Sequence, residues 1–522
     1  MTHSMRTLPS FLASSIVIVL GVPATMYAQN TLASIPQQHR DRARNLLSSP
    51  TAKYLSGTGV NALTLVSNEG LARSLQRGNS GPHSPAADQF GIMVNDPAKD
   101  VFADAGVSTQ SETALAAYGK NIVVAYNNSR AFGDPSGRSL QGYSLSRDGG
   151  ASFVDMDLFP TRPTGFNFGD PGLVVDRSGA FYVSSLAFDP ALPPESSFTV
   201  GIAKSTDGGT TFGQPVYVPQ PGGFADKPFI AVDTSNASTK GNVYVTYSAF
   251  GLDVSINVAR STDGGLTFSV PVQVSTPMSV NVGAEPAIGP NGELYILWWQ
   301  YEGPAGPGGV RVIKSTDGGL TFTPPVVAAT AAPPGFTTST MFGGFRVNPF
   351  PRIDVNPISG QVYIVYAANA RFGDSGDIFF VRSIDGGATW SNPIMLNTDA
   401  PGADQVFPDI AVNASGSIRV FWYDKRLDPQ NLSISLYFVS SDNGGLRFSA
   451  NRSLTNVTFL PAIAYDPVTD PLYMGDYNDI KAGMSAAGRT DIMYAAWGDC
   501  RRFIRTATGT RPDQDVFFGI VP

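Results

Sequence analysis

Four ionisable residues recur at one place in a repeating pattern. Glu112, Asp170, Lys227 and Glu285 each stand immediately before the Thr or Pro that opens a short apolar strand. Carboxyl groups gathered from separate repeats could act as general acid and base or hold a cation, which makes Asp170, Glu285 and Glu112 the catalytic candidates. The plainer reading is that they cap turns and ring an opening with solvated charge. A second recurrence ends the strand that follows: Asn128 and Arg130, Asn369 and Arg371, Asp424 and Arg426, Asp499 and Arg501 each put an arginine two residues after an acid or amide. A guanidinium fork suits bidentate capture of a carboxylate or sulfate, so Arg130, Arg371, Arg426 and Arg501, together with Lys227, are candidate ligand-binding residues. Pairing of each arginine with a neighbouring carboxylate is the structural alternative. Trp298, Trp299 and Tyr301 end another such strand, where an exposed ring could stack on a sugar and a buried one would fill the core. Arg352 and Asp409 hold equivalent places in adjacent repeats and are expected to face each other as an ion pair.

Other chemistries lack their residues. The three histidines, His3, His39 and His83, all precede the repeats, so the repeats can build neither a histidine zinc site nor a Ser, His, Asp triad. No metal ligand set is assigned and no cofactor is expected. Calcium is carried as a candidate without support, because the acidic stretches Arg371 to Asp377 and Gly475 to Asp479 lack the spacing of a known calcium loop. Cys500 is the only cysteine, which rules out an intrachain disulfide.

These residues must be positioned by a repeated unit. The octapeptide STDGGLTF occurs at Ser261 to Phe268 and again at Ser315 to Phe322; SxDxGxxF or SxDxGxxW forms start at Ser146, Ser205 and Ser383, and a form with Asn443 in place of Asp starts at Ser441. Spacing of about 55 to 70 residues is that of solenoid repeats or propeller blades. Before each octapeptide stand a strand of the PFIAVD type, a turn, and an aromatic-rich strand of the NVYVTYSAF type. A third strand leads into the octapeptide and a fourth leaves it, so one unit is a four-stranded antiparallel meander. Within the octapeptide the Ser and Asp side chains can accept bonds from the turn's own amides while the Gly pair permits positive φ. The octapeptide is expected to staple a hairpin.

The fold class expected is all-β: a seven-bladed β-propeller of four-stranded blades, with six blades as the alternative. Residues after Leu460 supply three strands and no obvious fourth, so the isolated strand Phe90 to Asp96 is expected to pair with Val516 to Ile520 and close the ring. Residues 1–28 read as a secretory signal, with an apolar run too short for a membrane span. Residues 29–88 read as a flexible segment with one short helix around Asp41 to Leu47, and 89–522 as a single propeller domain. A secreted or periplasmic location follows, with no transmembrane span in the mature chain. Net charge of −7 argues against a grip on nucleic acid, which needs clustered cations to displace phosphate counterions. Composition leaves oligomeric state open.

The octapeptides resemble the Asp box, or BNR repeat, of sialidases and related propellers, and the resemblance runs from about Phe90 to the end of the chain. The segment from GDYNDIKAGM to DQDVFF is similar to the last blade of secreted sialidase-like bacterial proteins. The resemblance to the neuraminidase superfamily implies a glycan as partner. Sialidases hold the sugar carboxylate with three arginines, one in an early FRIP-type motif, and use a Tyr and Glu pair with an Asp acid and base. This chain reads QSETALAAY at the early position, carries FPRI only at Phe350 to Ile353, and offers no Tyr and Glu pair by spacing. Two functions remain: an exported glycosidase or polysaccharide lyase acting on an acidic saccharide, and a non-catalytic propeller that binds a glycan or a protein on the same face.

Overall fold

The computed structural model describes residues 35–67, 91–100, 108–130, 138–303, 306–335, 345–370, 375–461, 466, 469, 472–506 and 509–522. Antiparallel β-sheets dominate it. Four sheets have four strands each, beginning with Phe224–Val232, Asn281–Ile288, Arg352–Val355 and Gln405–Val412. A fifth is the same unit with its first strand broken in two, Phe166–Asn167 and Gly172–Val175, around Gly169 and Asp170, both at positive φ. The largest sheet joins two units through one parallel pair, Tyr118 with Met484. One of these runs Gln110–Tyr118, Asn121–Asn128, Gln141–Ser146, Val154–Leu158; the other comprises Asp479–Ser485, Gly488–Thr506, Gly509–Val521 and the short strand Ile92–Met93. Ile92 pairs with Phe518 and Met93 with Phe517. The architecture is propeller-like.

Local sequence explains the strand order of each unit. Second strands such as Phe181–Phe188, Val243–Phe250 and Val362–Ala368 are buried along their whole length, because neighbouring sheets cover both faces, and they accordingly read as continuous apolar and aromatic runs. Fourth strands are two-residue pieces in several units, among them Val272–Gln273 and Arg452–Ser453, and are exposed.

The octapeptides staple the turn between third and fourth strands, as their residue types require. The Ser261 hydroxyl donates to Asp263 and accepts the Gly265 N–H at 2.8 Å, while Asp263 Oδ1 accepts the Thr267 N–H at 3.0 Å. They also link units, which the repeat alone did not reveal. Lys204, just before one octapeptide, donates to the Gly264 carbonyl of the next at 2.9 Å; Arg260 does the same to Gly318 at 3.1 Å and Arg382 to Gly444 at 2.8 Å. In three units the second glycine of the pair must be bare for a further reason: a Cβ on Gly209 would lie 2.4 Å from Val123 of the preceding unit, one on Gly150 would meet the Phe518 ring at 2.4 Å and one on Gly445 the Phe380 ring at 2.4 Å.

The N-terminal residues depart from the expected helix within a linker. Two helices, Gln37–Leu47 and Gly57–Ser67, and the connection between them bury Ala43, Leu55, Leu63, Leu65 and Val66 against Phe188, Phe224 and Trp299 of the sheets. Polarity of the surrounding Ser, Gly and Asn residues masked this apolar stripe, whose partners lie more than a hundred residues away. No helix among the described residues is long and apolar enough to cross a membrane.

Candidate functional site

A bulge in the first strand of several units aims one side chain toward the place where first strands from different units meet. Ladder register slips at Ser111/Ala114, Asp226/Phe229, Val282/Glu285 and Val406/Asp409. Glu112, Asp170, Lys227 and Phe407 sit at these kinks with φ of 52°, 57°, 53° and 52°, and Gly283 takes the same place with φ 66°. Left-handed backbone at a non-glycine residue costs about 1–3 kcal/mol and persists only where the surroundings hold it. The bulge corrects the register assigned to Glu285. Proline alignment placed it level with Glu112, Asp170 and Lys227, but it stands two residues beyond the kink, level with Arg352, Asp409 and Asp479, which pair across to Val365, Phe421 and Ala496 as Glu285 pairs to Leu297. Two layers of charge result.

In the first layer Lys227 is the hub. Its Nζ lies 2.7 Å from Glu112 Oε1, 3.2 Å from Asp170 Oδ1 and 3.2 Å from Asp476 Oδ2, and sits 4.5 Å from the centre of the Tyr477 ring. Arg346 Nη2 grips both oxygens of Asp476 at 2.9 and 3.0 Å. The Asn127 amide donates to Glu112 Oε2 at 2.9 Å and to the Tyr473 hydroxyl at 2.8 Å. Burial, then the charge of Asp170, pushes the Glu112 carboxyl well above the usual range, against the pull of Lys227. Burial alone would lower the Lys227 ammonium, yet Asp170, Glu112 and Asp476 together raise it. A buried carboxyl inclined to keep its proton, next to a fixed cation and a tyrosine hydroxyl, is an arrangement that can donate or accept a proton.

This layer is shut from above by the connection between the two N-terminal helices. Ser56 donates its backbone N–H to Asp226 Oδ2 at 2.7 Å and its hydroxyl to Asp226 Oδ1 at 2.6 Å, with Asp170 Oδ2 at 3.3 Å. Ser56 Oγ in turn accepts the Gly59 N–H at 2.7 Å, so the positive end of the second helix points at these carboxylates. Arg346 Nη1 holds the Leu55 carbonyl at 3.2 Å, and Tyr54 lies against Tyr301 with ring centres 4.8 Å apart. Glu112 and Asp170 are consequently only 1% exposed and Lys227 2%.

The second layer centres on Arg352. It makes the expected pair with Asp409, bidentate at 2.8 and 3.0 Å, and adds Asp479 at 3.2 Å and Glu285 at 3.4 Å. Burial pushes Glu285 up to about 7 and Asp479 up to about 6, with Arg352 and Lys481 opposing in both. Burial would raise Asp409 too, but Arg352 and Lys481 pull it below its ordinary value.

The candidate arginines spend their forks close to home. Arg130 pairs with Asp157 at 2.5 Å; Arg426 reaches Asp424 through Nε at 2.9 Å, and Arg501 reaches Asp499 through Nε at 2.8 Å. The last two belong to a repeated clamp in which a tryptophan two residues earlier donates to the same acid: Trp422 to Asp424 at 2.7 Å and Trp497 to Asp499 at 3.1 Å. The W-x-D-x-R spelling of that clamp was readable in the sequence. Arg371 lies outside the described residues. Trp298 is fully buried with its indole N–H on Asn281 at 2.8 Å, so its ring is core in this conformation. Of the acidic stretches weighed for calcium, Asp476 and Asp479 are engaged by Arg346, Lys227, Arg352 and Lys481. Residues 371–374 of the other stretch fall outside the described residues, and Asp377 accepts from Asn397 at 2.8 Å.

Sequence reasoning missed Asp226, Arg346, Tyr473 and Ser56, and the part Asp476 plays in this layer. Asp226 stood beside Lys227, and adjacency to that kink was its signal; Asp476 lay in the acidic stretch weighed for calcium, without a role in this layer; Ser56 and Arg346 come from segments outside the repeat and carried none.

No protein-family model matches the chain, and no curated protein sequence does. Among solved structures, the chain is similar to a polysaccharide lyase of a new family, an ulvan lyase bound to a glucuronic acid and sulfated rhamnose saccharide. The likeness has a TM-score of 0.48 at 13% identity and covers 84% of this chain and 95% of that one. It is similar also to a Hadza microbial sialidase, with TM-score 0.41, 15% identity, and 71% and 68% of the two chains covered. A leech intramolecular trans-sialidase follows at TM-score 0.43 and 12% identity over 72% and 70%.

Proposed function

We propose that the chain is an exported, sialidase-like propeller that recognises a glycan at the Glu112, Asp170, Asp226 and Lys227 layer, and that its own N-terminal helices hold this site closed. The observation that carries the reading is Ser56 on Asp226. A hydroxyl and a neighbouring N–H donated to the two oxygens of one buried carboxylate reproduce what a pair of sugar hydroxyls would offer, and Tyr54 against Tyr301 occupies the place of a stacked ring. Hydroxyl-rich ligands are held by such fixed acceptors because leaving them unpaired in a buried site costs about 1–3 kcal/mol each.

A second reading, acid and base cleavage of a glycosidic bond, draws on the Glu112 carboxyl: it is raised by burial and by Asp170 and shares the Asn127 amide with the Tyr473 hydroxyl. On this reading Glu112 is the proton donor and Lys227 with Arg346 the anion clamp for an acidic sugar. The fold underlying both readings is a ring of seven units with Asp-box turns, closed by the N-terminal strand. Pairing of Ile92 with Phe518, and contact of Phe153 in the first octapeptide with Phe518 at 5.0 Å between ring centres, support the closure. Residues 1–28 are proposed as the export signal and 89–522 as the single propeller domain.

The test uses the full chain with Leu63→Asp, which sets a charge into the buried face of the second helix and unseats it. Wild type and variant are screened for binding and turnover on sialosides, uronic acid polymers and neutral glycans. The variant is expected to bind at least one class that wild type ignores. Turnover that disappears with Glu112→Gln would select the enzymatic reading. A folded variant with protease-accessible helices that binds nothing would overturn both.

A further inference from the structure

Three carboxylates lie together where the two ends of the described sheets meet. Asp100 follows the short strand Ile92–Met93, and Asp513 and Asp515 stand on the last strand, Gly509–Val521. One oxygen from each lies within 4.8 Å of the other two, and all three residues are essentially buried, at 1%, 0% and 0% exposure. Arg502 compensates two of them, Nη2 reaching Asp513 Oδ2 at 2.9 Å and Nε reaching Asp515 Oδ2 at 2.6 Å. The remaining oxygens of those two have their own partners: Asp513 Oδ1 accepts the Ser108 hydroxyl at 2.6 Å with Arg511 Nη1 at 3.7 Å, and Asp515 Oδ1 accepts the Asn95 amide at 2.8 Å. Asp100 Oδ1 accepts from Gln110 at 3.0 Å. Asp100 Oδ2 is buried with no hydrogen-bond partner among the described residues. An orphaned carboxylate oxygen in a closed space beside two further acids is costly unless something positive faces it.

We infer that Asp100, Asp513 and Asp515 form a binding site for one hard divalent cation of the calcium type, which clips the N-terminal strand to the C-terminal strand. The ligand set is all oxygen, with no histidine or thiol joining it among the described residues, which suits calcium over zinc or copper. Oxygens no more than 4.8 Å apart leave a point within about 2.8 Å of all three, close to the 2.3–2.6 Å of calcium and long for the 2.0–2.1 Å of magnesium. Ser108 stands beside Asp513 to supply a further oxygen, and water completes the shell. None of these residues belongs to the glycan layer, so the site stands or falls independently of it.

The experiment takes the full-length protein, stripped with EDTA and exchanged into metal-free buffer at pH 7.5. Calcium chloride is titrated by calorimetry, and thermal unfolding is followed with and without calcium. Expected are one calcium per chain, a Tm that rises to a plateau, and weaker binding of magnesium. Asp100→Asn is expected to weaken calcium binding at least tenfold while the protein still unfolds cooperatively in EDTA. Absence of saturable binding up to about 5 mM calcium, above the range of extracellular calcium modules, would overturn the inference. Unchanged affinity in Asp100→Asn would also overturn it, since the ion would then lie elsewhere. Should Asp100→Asn fail to fold, the wild-type titration still decides.

Discussion

Replacing Lys227 with Met removes the one ammonium that three buried carboxylates share, while keeping an apolar stem of similar length against the Tyr477 ring. Glu112, Asp170 and Asp476 then face one another without the shared ammonium, and Arg346 pairs with Asp476. Breaking a buried pair by removing one partner costs about 3–5 kcal/mol, and that is the loss expected at pH 7.5. The sign of its pH dependence follows from the carboxyls. Glu112 is already raised above its ordinary value, and loss of the cation raises it further. A carboxyl raised in the folded state lends stability at low pH and withdraws it as pH climbs through the folded value. The folded variant therefore carries an extra proton at moderately acid pH, and its deficit against wild type shrinks by about 1.4 kcal/mol per pH unit for each such proton. Between pH 7.5 and 5.5 most of the loss should be recovered. Guanidinium unfolding of both proteins at the two pH values, followed by tryptophan fluorescence, measures this directly. An equal deficit at both pH values, or none at pH 7.5, would show that the acids do not depend on Lys227 and would refute the charge-hub reading.

Two further expectations concern the frame. Gly149→Ala and Gly209→Ala both force alanine to positive φ, at 81° and 86°, but only the second drives its methyl into Val123, so Gly209→Ala should lower stability by about 1–3 kcal/mol more in denaturant melts. Asp409→Ala should cost about 3–5 kcal/mol by taking the bidentate partner from the buried Arg352; a variant as stable as wild type in denaturant melts would count against the pair.

Much of the frame could be read from particular residues. The Ser and Asp of STDGGLTF bond the turn amides whatever surrounds them, because donor and acceptor lie within four residues of each other. Alternating and continuous apolar runs likewise marked first and second strands, since burial of one face or two leaves its own pattern. Arg352 and Asp409 could be paired in advance because they hold the same place in consecutive units. Glu285 shows where such reasoning stops. Its proline aligned with the others, but a bulge at Gly283 and Ala284 shifted the ladder and carried Glu285 into the second layer, and nothing local distinguishes a proline before a bulge from one after it.

What the amino-acid order decided alone is therefore short-range: turns, strand faces, and the equivalence of positions from unit to unit. What the tertiary structure decided is which of those equivalent side chains meet, and under what cover. Lys227 reaches across to Glu112 over 115 residues of chain, and Ser56 reaches Asp226 over 170. Such contacts depend on how whole units are placed, and the free energy that selects them comes from burial summed over many sheets; no window of sequence contains it.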